Sequence, residues 1–319
     1  MRLIVVQLLA TALIVVVAGL RAAFAGTPAV DAGPSAPYEW RALHFSGSAL
    51  LADFEAALEL WEQAPAEPGP WIAELRTQMR SLLLPDKETR VRAWFDPVTG
   101  AVARFDKLTL GPGPNFKRYR FREGGVQRTR REPLRTEEGQ DYTAWSDERE
   151  SFHRFDAAKH GCKVLSDPAT LVYLVTWGPG SWARDPAACV FWGKTLYRLT
   201  LRPVDTLIHD ISYRISGDVP HRRHARVEAL RYDLVARPVA GNLEEEVTRL
   251  EILVDSGTGI PWRVVTREGP FAIDMELREV VLRNPQLGTV PGWQGRLASG
   301  SSRARSSETT PSSGSSPRR

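Results

Sequence analysis

The sequence predicts a mainly β protein in which a curved antiparallel sheet wraps around one short buried helix. Three observations lead to this fold. Apolar and polar residues alternate along most of the chain, turn sequences separate the alternating runs, and one short run is apolar on every side. Side chains on a strand point to opposite faces with a period of two, so the alternation indicates strands with one buried face.

The clearest alternation lies in residues 250–282, which predict three short strands that fold back on one another. Residues 255–259 supply the small residues and glycines of a tight turn, and residues 268–270 make the next corner. We expect the apolar side of these strands to face the hollow of the curved sheet and to bind a ligand there. The residues expected on this concave face are Ile252, Val254, Trp262, Ile273, Met275 and, from the predicted helix, Tyr173.

Strand patterns also fill the earlier part of the chain. Residues 96–100 and 123–125 have the sequences of hairpin turns. Residues 50–61 and 71–84 fit a strand and a helix equally well, and strands are favoured because their neighbours pair as hairpins. The other predicted strands are residues 38–46, 90–95, 101–110, 116–122, 126–131, 196–201, 207–216, 227–236 and 246–254.

One helix is predicted at residues 169–176. Ser166 and Asp167 provide an N-cap, and Pro168 occupies the first helical position. The run ATLVYLVT that follows is apolar all round, which is typical of a buried helix. In a β protein such a helix most simply fills the hollow of a curved sheet.

The first 25 residues predict a signal peptide. Arg2 precedes an apolar run from Leu3 to Leu20, and Ala23-Phe24-Ala25 has the small-x-small pattern of a cleavage site. The alternative is a retained anchor, because the run is at the lower edge of the length that spans a bilayer. Cleavage would release a periplasmic protein that contacts the membrane only peripherally.

The rest of the chain is predicted to hold a flexible leader at residues 26–37, a single domain at 38–290 and a disordered basic Ser/Arg-rich tail at 296–319. The charges of the signal and the tail account for the basic balance of the chain, and residues 26–295 carry a net charge of −2. A near-neutral body argues against nucleic acid as a partner, because phosphate binding needs a basic surface.

Cys162 and Cys189 are the two cysteines of the chain. An even number of cysteines in an exported protein favours a disulfide. Two buried thiols or a metal pair are the alternatives, although two cysteines alone make a poor metal site.

A basic hairpin is the most charged part of the domain. Arg118, Arg120 and Arg122 share one face of a predicted strand. Arginine matches phosphate and carboxylate groups bidentately, so this face is a candidate contact for an anionic glycan or a lipid headgroup. The alternative is a charged edge that prevents aggregation between strands.

No residue cluster predicts an enzyme, a metal site or a cofactor. Ser151, His153, Asp156 and His160 include the residue types of a hydrolase, but no nucleophile-elbow sequence accompanies them. His221 and His224 are predicted to lie in the loop that begins with Gly217-Asp-Val-Pro220, and they lack the carboxylate–histidine spacing of zinc enzymes.

Residues 75–285 also resemble a family of exported bacterial proteins of unknown function with a β half-barrel, similar in architecture to the lipoprotein-localisation factors of the periplasm. In those carriers the concave face shelters acyl chains and a helix plugs it. The resemblance implies a half-barrel at residues 38–290. It rests on the motifs Asp167-Pro-x-Thr-x-x-Tyr173, Phe191-Trp-Gly-Lys-x-Leu-Tyr197, Arg118-Tyr-Arg-Phe121, Gly124-Gly-Val126, Val254-Asp255 with Ile260-Pro261, Gly269 and Glu276-Leu277.

We therefore expect a non-enzymatic periplasmic protein that binds or chaperones an amphipathic envelope component, such as a lipid, a lipoprotein or a glycolipid. A scaffold that assembles envelope proteins through protein contacts is the alternative, and a hydrolase with an unrecognised site is a third possibility. An apolar hollow open to solvent favours the carrier, whereas a solid core with an exposed apolar patch favours the scaffold.

Overall fold

The computed structural model describes residues 40–49, 52–61, 71–97, 99–162, 165–167, 169–170, 189–217, 219–243, 247–266 and 273–282. These residues form one mixed sheet of fifteen strands. The strands are β1 (Trp40–Ala49), β2 (Ala52–Trp61), β3 (Trp71–Ser81), β4 (Lys87–Phe95), β5 (Val102–Leu110), β6 (Asn115–Arg122), β7 (Gly125–Glu132), β8 (Asp147–Arg154), β9 (Leu165–Ser166), β10 (Cys189–Trp192), β11 (Thr195–Ser216), β12 (His221–Ala240), β13 (Thr248–Asp255), β14 (Pro261–Thr266) and β15 (Asp274–Leu282).

The predicted mainly β fold is confirmed, and both ambiguous segments are strands, β2 and β3. The predicted strands at residues 196–201 and 207–216 are one long strand, β11. The pairing of β11 with β12 is irregular at Pro203, because the register shifts between Pro203 and Asp205. A bulge of this kind lets pairing continue past a proline, which cannot donate a ladder hydrogen bond.

Strands β1–β8 form a meander, in which each strand pairs antiparallel with the next along the chain. Strands β11–β15 also pair in chain order, and β15 returns to pair with β11, so these five strands form a closed ring. The meander and the ring are joined where β1 pairs with β15.

The prediction of a purely antiparallel sheet is wrong at two pairings. Strands β11 and β15 are parallel, as are β9 and β10. The first of these has a geometric reason. Strand direction alternates along β11–β15, and a ring with an odd number of strands can close only if its first and last strands run the same way.

The sheet curls until its two ends touch through side chains. Phe191 of β10 packs against Tyr119 of β6 and against Phe155, which follows β8, with ring centres 5.9 and 5.5 Å apart. Arg128 of β7 donates a hydrogen bond of 3.2 Å to the carbonyl of Gly193. We call these contacts, between strands β6–β8 and residues 191–193, the seam.

The side of the sheet that packs into the main core is called the inner face, and the opposite side the outer face. On the meander the inner face carries Leu58, Leu75, Val91 and Phe105, each with no exposed surface. The outer face carries a smaller apolar cluster of Leu108, Phe116 and Trp145. The connection between β7 and β8 covers this cluster and contains two 3-10 turns, Arg135–Glu137 and Tyr142–Ala144.

The predicted disulfide joins the two ends of the sheet. The sulfur atoms of Cys162 and Cys189 lie 2.06 Å apart, at bonding distance. Cys162 follows a third 3-10 turn, Ala158–His160, beyond the end of the meander, and Cys189 begins β10 beside the ring. The bond therefore lies on the same side of the molecule as the seam.

The N-cap of the predicted helix is present, because the carboxylate of Asp167 accepts a hydrogen bond of 2.8 Å from the backbone N–H of Ala169. Ala169 and Thr170 are helical, but no helix of seven or more residues occurs within the described ranges. The rest of the predicted helix lies outside those ranges. The same is true of the signal, the leader, the tail and the corner at 268–270.

Candidate functional site

The two faces of the basic hairpin β6–β7 differ in how their charges are compensated. Arg118, Arg120 and Arg122 share the outer face, as predicted. Lys117 points inward, because it alternates with them along β6. Register pairs Lys117 with Arg130 of β7, which therefore lies on the inner face as well.

On the outer face two arginines share one buried carboxylate as their ion-pair partner. Asp106 of β5 has no exposed surface, and its Oδ1 accepts hydrogen bonds from Nε of Arg104 (3.0 Å) and Nε of Arg118 (3.1 Å). These hydrogen bonds raise the pKa of Arg118. The guanidinium of Arg104 also stacks on Trp94, 4.1 Å from the ring centre. Arg118 is therefore held by a structural ion pair.

Arg120 and Arg122 are exposed on the same face. The predicted anionic contact through all three arginines thus divides into one internally paired residue and two residues free to meet solvent. Binding of an anionic surface by Arg120 and Arg122 stays a prediction.

The inner face of the meander changes from apolar to basic along a single row of neighbouring residues. The apolar members have no exposed surface, whereas the lysines that follow them are half-buried. In cross-strand order from β1 to β7, the row is Leu43, Leu58, Leu75, Val91, Lys107, Lys117 and Arg130.

Two further cations extend this end of the row. Lys87 lies at the start of β4 on the inner face, paired with Met79, and Arg128 lies one row away, paired with Tyr119. Both are half-buried. The five residues that we call the inner basic cluster are Lys87, Lys107, Lys117, Arg128 and Arg130.

Burial and mutual repulsion lower the pKa values of Lys107 and Lys117. Burial lowers the pKa of Lys107 well below its ordinary value, and the charges of Lys117 and Lys87 lower it further. Burial lowers the pKa of Lys117 to about 8, with a further contribution from the two arginines of the cluster. Desolvation disfavours the charged form of an amine, and a like charge nearby acts in the same direction.

The cluster has little negative charge around it. Within the described ranges, Arg130 is paired with Glu132, and no ion pair involves the three lysines. The Nζ of Lys107 lies 4.0 Å from the ring centre of Trp192, at the seam. The buried Nε atoms of Arg128 and Arg130 have no hydrogen-bond partner.

The residues predicted to bind a ligand on the concave face are packed inside the protein. Five of them belong to the main core cluster, and each has less than a tenth of its surface exposed. Their role in ligand binding stays a prediction, and Tyr173 lies outside the described residues. The five are Ile252, Val254, Trp262, Ile273 and Met275.

Three consecutive leucines stand in solvent at the turn between β3 and β4. Leu82, Leu83 and Leu84 are 85%, 74% and 41% exposed. Arg80 precedes the turn and is also exposed. We call Leu82–Leu84 the leucine turn. Sequence reasoning assigned these leucines to a strand, where alternate residues would be buried, and so missed their exposure.

The residue types of a hydrolase are only partly assembled. Ser151 and His153 are neighbours on β8, with Oγ and Nε2 3.2 Å apart. Asp156 instead accepts hydrogen bonds from the backbone N–H groups of Ala158 and Lys159. These residues therefore do not form a Ser-His-Asp triad.

The other histidines lie on strands. His221 and His224 belong to the start of β12 and not to the loop that the sequence suggested. His209 packs on Trp262, with ring centres 5.0 Å apart. Across the described part of the chain, no group of three His, Cys, Asp or Glu residues is placed to hold a metal ion. No helix in that part has the length and apolar character needed to cross a membrane.

The inner basic cluster escaped sequence analysis because its members come from four strands. One signal was available, since the turn at residues 123–125 fixes the register of β6 against β7 and so places Lys117 beside Arg130. Lys107 gave no signal of its own, because a single lysine in an alternating strand normally faces solvent.

No family model matches the chain, and no curated protein matches it. Among solved structures, the chain is similar to the crystal structure of a beta-barrel-like protein of domain of unknown function DUF1849 from Brucella abortus, with a TM-score of 0.43 and 8% identity over 78% of this chain and 100% of that chain. These values are too low to assign the chain to a family. The similarity to the lipoprotein-localisation factors stays a prediction.

Proposed function

We propose that the protein is an exported, non-enzymatic binding protein for an amphipathic component of the bacterial envelope, such as a lipid, a lipoprotein or a glycolipid. The signal-like N-terminus and the paired cysteines support export to an oxidising compartment. The curled sheet supports a half-barrel architecture, in which the concave side shelters an apolar ligand.

The observation that carries the proposal is the leucine turn. Three consecutive leucines at the tip of a hairpin expose apolar surface without a covering element in the described structure. Contiguous exposed apolar residues mark sites that contact a membrane or a partner. Arg80 and Lys87 flank the leucines, but Asp86 lies exposed in the same turn and Arg80 is paired with Glu55. The proposed membrane contact therefore rests on the apolar side chains, as in other segments that bury apolar residues at a bilayer surface.

In this proposal the leucine turn inserts into the bilayer surface and brings the adjoining ends of β3 and β4 close to the lipid. Transfer of an acyl chain to the concave face then requires the packed core around Ile252 and Val254 to open, since these residues have no exposed surface. The helix predicted at residues 169–176 is the element that such a step would displace.

A flotation assay tests the membrane contact. The purified chain without residues 1–25 is mixed with vesicles of phosphatidylethanolamine and phosphatidylglycerol, and the fraction that floats is measured. L82D/L83D should reduce binding about tenfold or more, because two leucines lose apolar burial and two acids meet an anionic surface. The matched control is V219D/L243D, which adds acids at two exposed apolar positions elsewhere.

Equal binding by the wild type and L82D/L83D, or an equal loss in the control variant, contradicts the membrane contact. Circular dichroism of each variant before the assay separates loss of binding from loss of fold. Replacing phosphatidylglycerol with phosphatidylcholine shows how much of the binding depends on the charge of the lipid.

An envelope-assembly scaffold is the second candidate function. The burial of the predicted ligand-binding residues favours it, because a filled interior leaves the exposed leucine turn as the apolar surface for a partner. Absence of vesicle binding together with loss of a protein partner from L82D/L83D after cross-linking in intact cells would favour the scaffold over the carrier.

A further inference from the structure

We propose that the inner basic cluster is a binding site for a phosphate-type anion, which is either the phosphate of a lipid headgroup or free phosphate. The site lies at the seam, between strands β4–β7 and Trp192. It goes beyond the proposed function, because it assigns a second site, which recognises a phosphate group and binds it without a membrane.

The first argument is the contrast with the outer face. There, the two arginines Arg104 and Arg118 share the buried carboxylate of Asp106 as an ion-pair partner. On the inner face, no ion pair among the described residues involves Lys87, Lys107 or Lys117. Glu132, which is already paired with Arg130, is the carboxylate whose charge reaches Lys117. Burying an uncompensated cation is costly, so a site of this kind is stabilised by an anion from outside the chain.

The second argument is that lysines at positions 107 and 117 do not improve the packing of the interior, as a purely structural role would require. The positions before Lys107 in the same cross-strand row are Leu75 and Val91, and they fill the interior with apolar atoms alone. An apolar residue at 107 or 117 would continue that packing without a desolvation cost. Lysines at these positions carry a desolvation cost in either protonation state, so they lower stability in the absence of a ligand, as residues of a binding site often do.

The third argument identifies the anion. Lys117 lies within electrostatic range of Lys87, Arg128 and Arg130, and Lys107 lies within range of Lys87 and Lys117. The buried Nε atoms of Arg128 and Arg130 have no protein acceptor. Phosphate offers several oxygens that accept hydrogen bonds in different directions, and arginine matches them bidentately.

Binding should be coupled to proton uptake. Lys107 faces Lys117, Lys87 and Trp192, and Lys117 faces Arg128, Arg130, Lys87 and the single carboxylate of Glu132. An anion among these groups favours their charged forms and raises the lysine pKa values. Affinity should therefore fall as the pH rises through about 8, where Lys117 loses its proton in the free protein.

Isothermal titration calorimetry at pH 7 tests the site with two probes, inorganic phosphate and monomeric dihexanoylphosphatidylglycerol. K107M/K117M should lose affinity for the bound probe by about tenfold or more, the equivalent of one charge-assisted hydrogen bond or more. R120Q/R122Q removes two charges from the rival outer face, and R226Q/R237Q removes two exposed charges from β12 as a net-charge control. Both of these should bind like the wild type.

The two probes distinguish the sources of the anion. Equal binding of both indicates a site for phosphate in general, and binding of the lipid alone indicates a headgroup site. The proposal is overturned if neither probe binds, if K107M/K117M binds like the wild type, or if R120Q/R122Q is the variant that loses binding. The single variant K117Q serves the same test if the double variant does not fold. Vesicles are absent throughout, so the outcome is independent of the leucine turn.

Discussion

The meander β1–β8 and the ring β11–β15 solve the problem of a curved sheet in different ways. Each meander strand has 8 to 11 residues, and the meander ends in the edge strand β8. The ring contains strands of 22 and 20 residues and closes on itself through β11 and β15. Ring closure removes an edge, whereas the far end of the meander depends on side chains to hold its position.

Burial follows the same division. In the ring, the consecutive residues Ile252, Leu253 and Val254 are all buried, so both faces of β13 are covered. In the meander, the inner face becomes basic towards β7, and the outer face carries compensated and exposed arginines. We therefore expect the ring to provide most of the stability. The far end of the meander carries the charges on which the proposed anion site depends.

The largest expected effect comes from breaking the joint between the two regions. Gly47 of β1 lies against β15, and a Cβ at this position would be 1.9 Å from the carbonyl oxygen of Asp274. Because backbone on both sides must move, Gly47→Ala should lower the free energy of unfolding by more than about 4 kcal/mol. Urea unfolding followed by tryptophan fluorescence measures the change.

The control for this variant is Gly113→Ala. Gly113 has a φ of 64°, and a Cβ there would meet no atom within 4 Å. It should therefore cost only the conformational strain of a left-handed residue, about 1–2 kcal/mol. Equal losses for the two variants would mean that the joint between β1 and β15 is not tightly packed.

The next largest effect is expected from removing the disulfide, which is the second connection between the meander and the ring side of the sheet. The disulfide closes a loop between residues 27 positions apart, from the end of the meander to the start of β10. On the chain-entropy model its loss costs roughly 3.5 kcal/mol. C162S/C189S should unfold at correspondingly lower urea concentration than the oxidised wild type, and the reduced wild type should match the variant.

Hydrogen exchange on the same variant sharpens the comparison. Protection should fall in β6–β8 and β10, which meet at the seam, and should persist in β12 and β13, which lie within the closed ring. Uniform loss of protection across both regions would contradict the view that the strand pairing within β11–β15 keeps the ring folded without the disulfide.

Local chemistry allowed much of the fold to be predicted. The turn after Asp255 was predictable because its carboxylate and glycines act within five residues, and the structure has Asp255 accepting hydrogen bonds from Gly257 N–H and the hydroxyl of Thr258. The ring closure was not predictable, since the pairing of Arg214 with Glu279 depends on the summed twist of five strands. Alternation gives the faces of a strand but not its distant partners.

The candidate site divides along the same line. The outer arginines were predicted because they alternate within one strand, but the pairing of Arg118 with Asp106 depends on the register between β5 and β6. The inner basic cluster needs the registers of β4, β5, β6 and β7 together. A motif that forms only across strands leaves no contiguous pattern in the sequence.

The smallest of the three stability effects depends on pH and tests the connection between β9 and the following residues. Burial raises the pKa of Asp167 from 3.8 to about 6, although hydrogen bonds from Thr170 and Ala169 oppose the shift. A carboxyl group whose pKa is higher in the folded state contributes stability below its unfolded pKa, and this contribution is lost as the pH rises towards about 6.

Asp167→Asn removes that titration while retaining an oxygen that accepts the hydrogen bond from Ala169. The free energy of unfolding of the wild type should fall relative to the variant by up to about 3 kcal/mol between pH 4 and pH 7, because two pKa units correspond to roughly that value. Urea titrations of the two proteins at each pH in this range measure the difference between their free energies of unfolding. The contributions of the other carboxylates are the same in both proteins and cancel in this difference. Parallel pH profiles would mean that Asp167 titrates normally, and that the segment beyond β9 is less buried than the ring it lies beside.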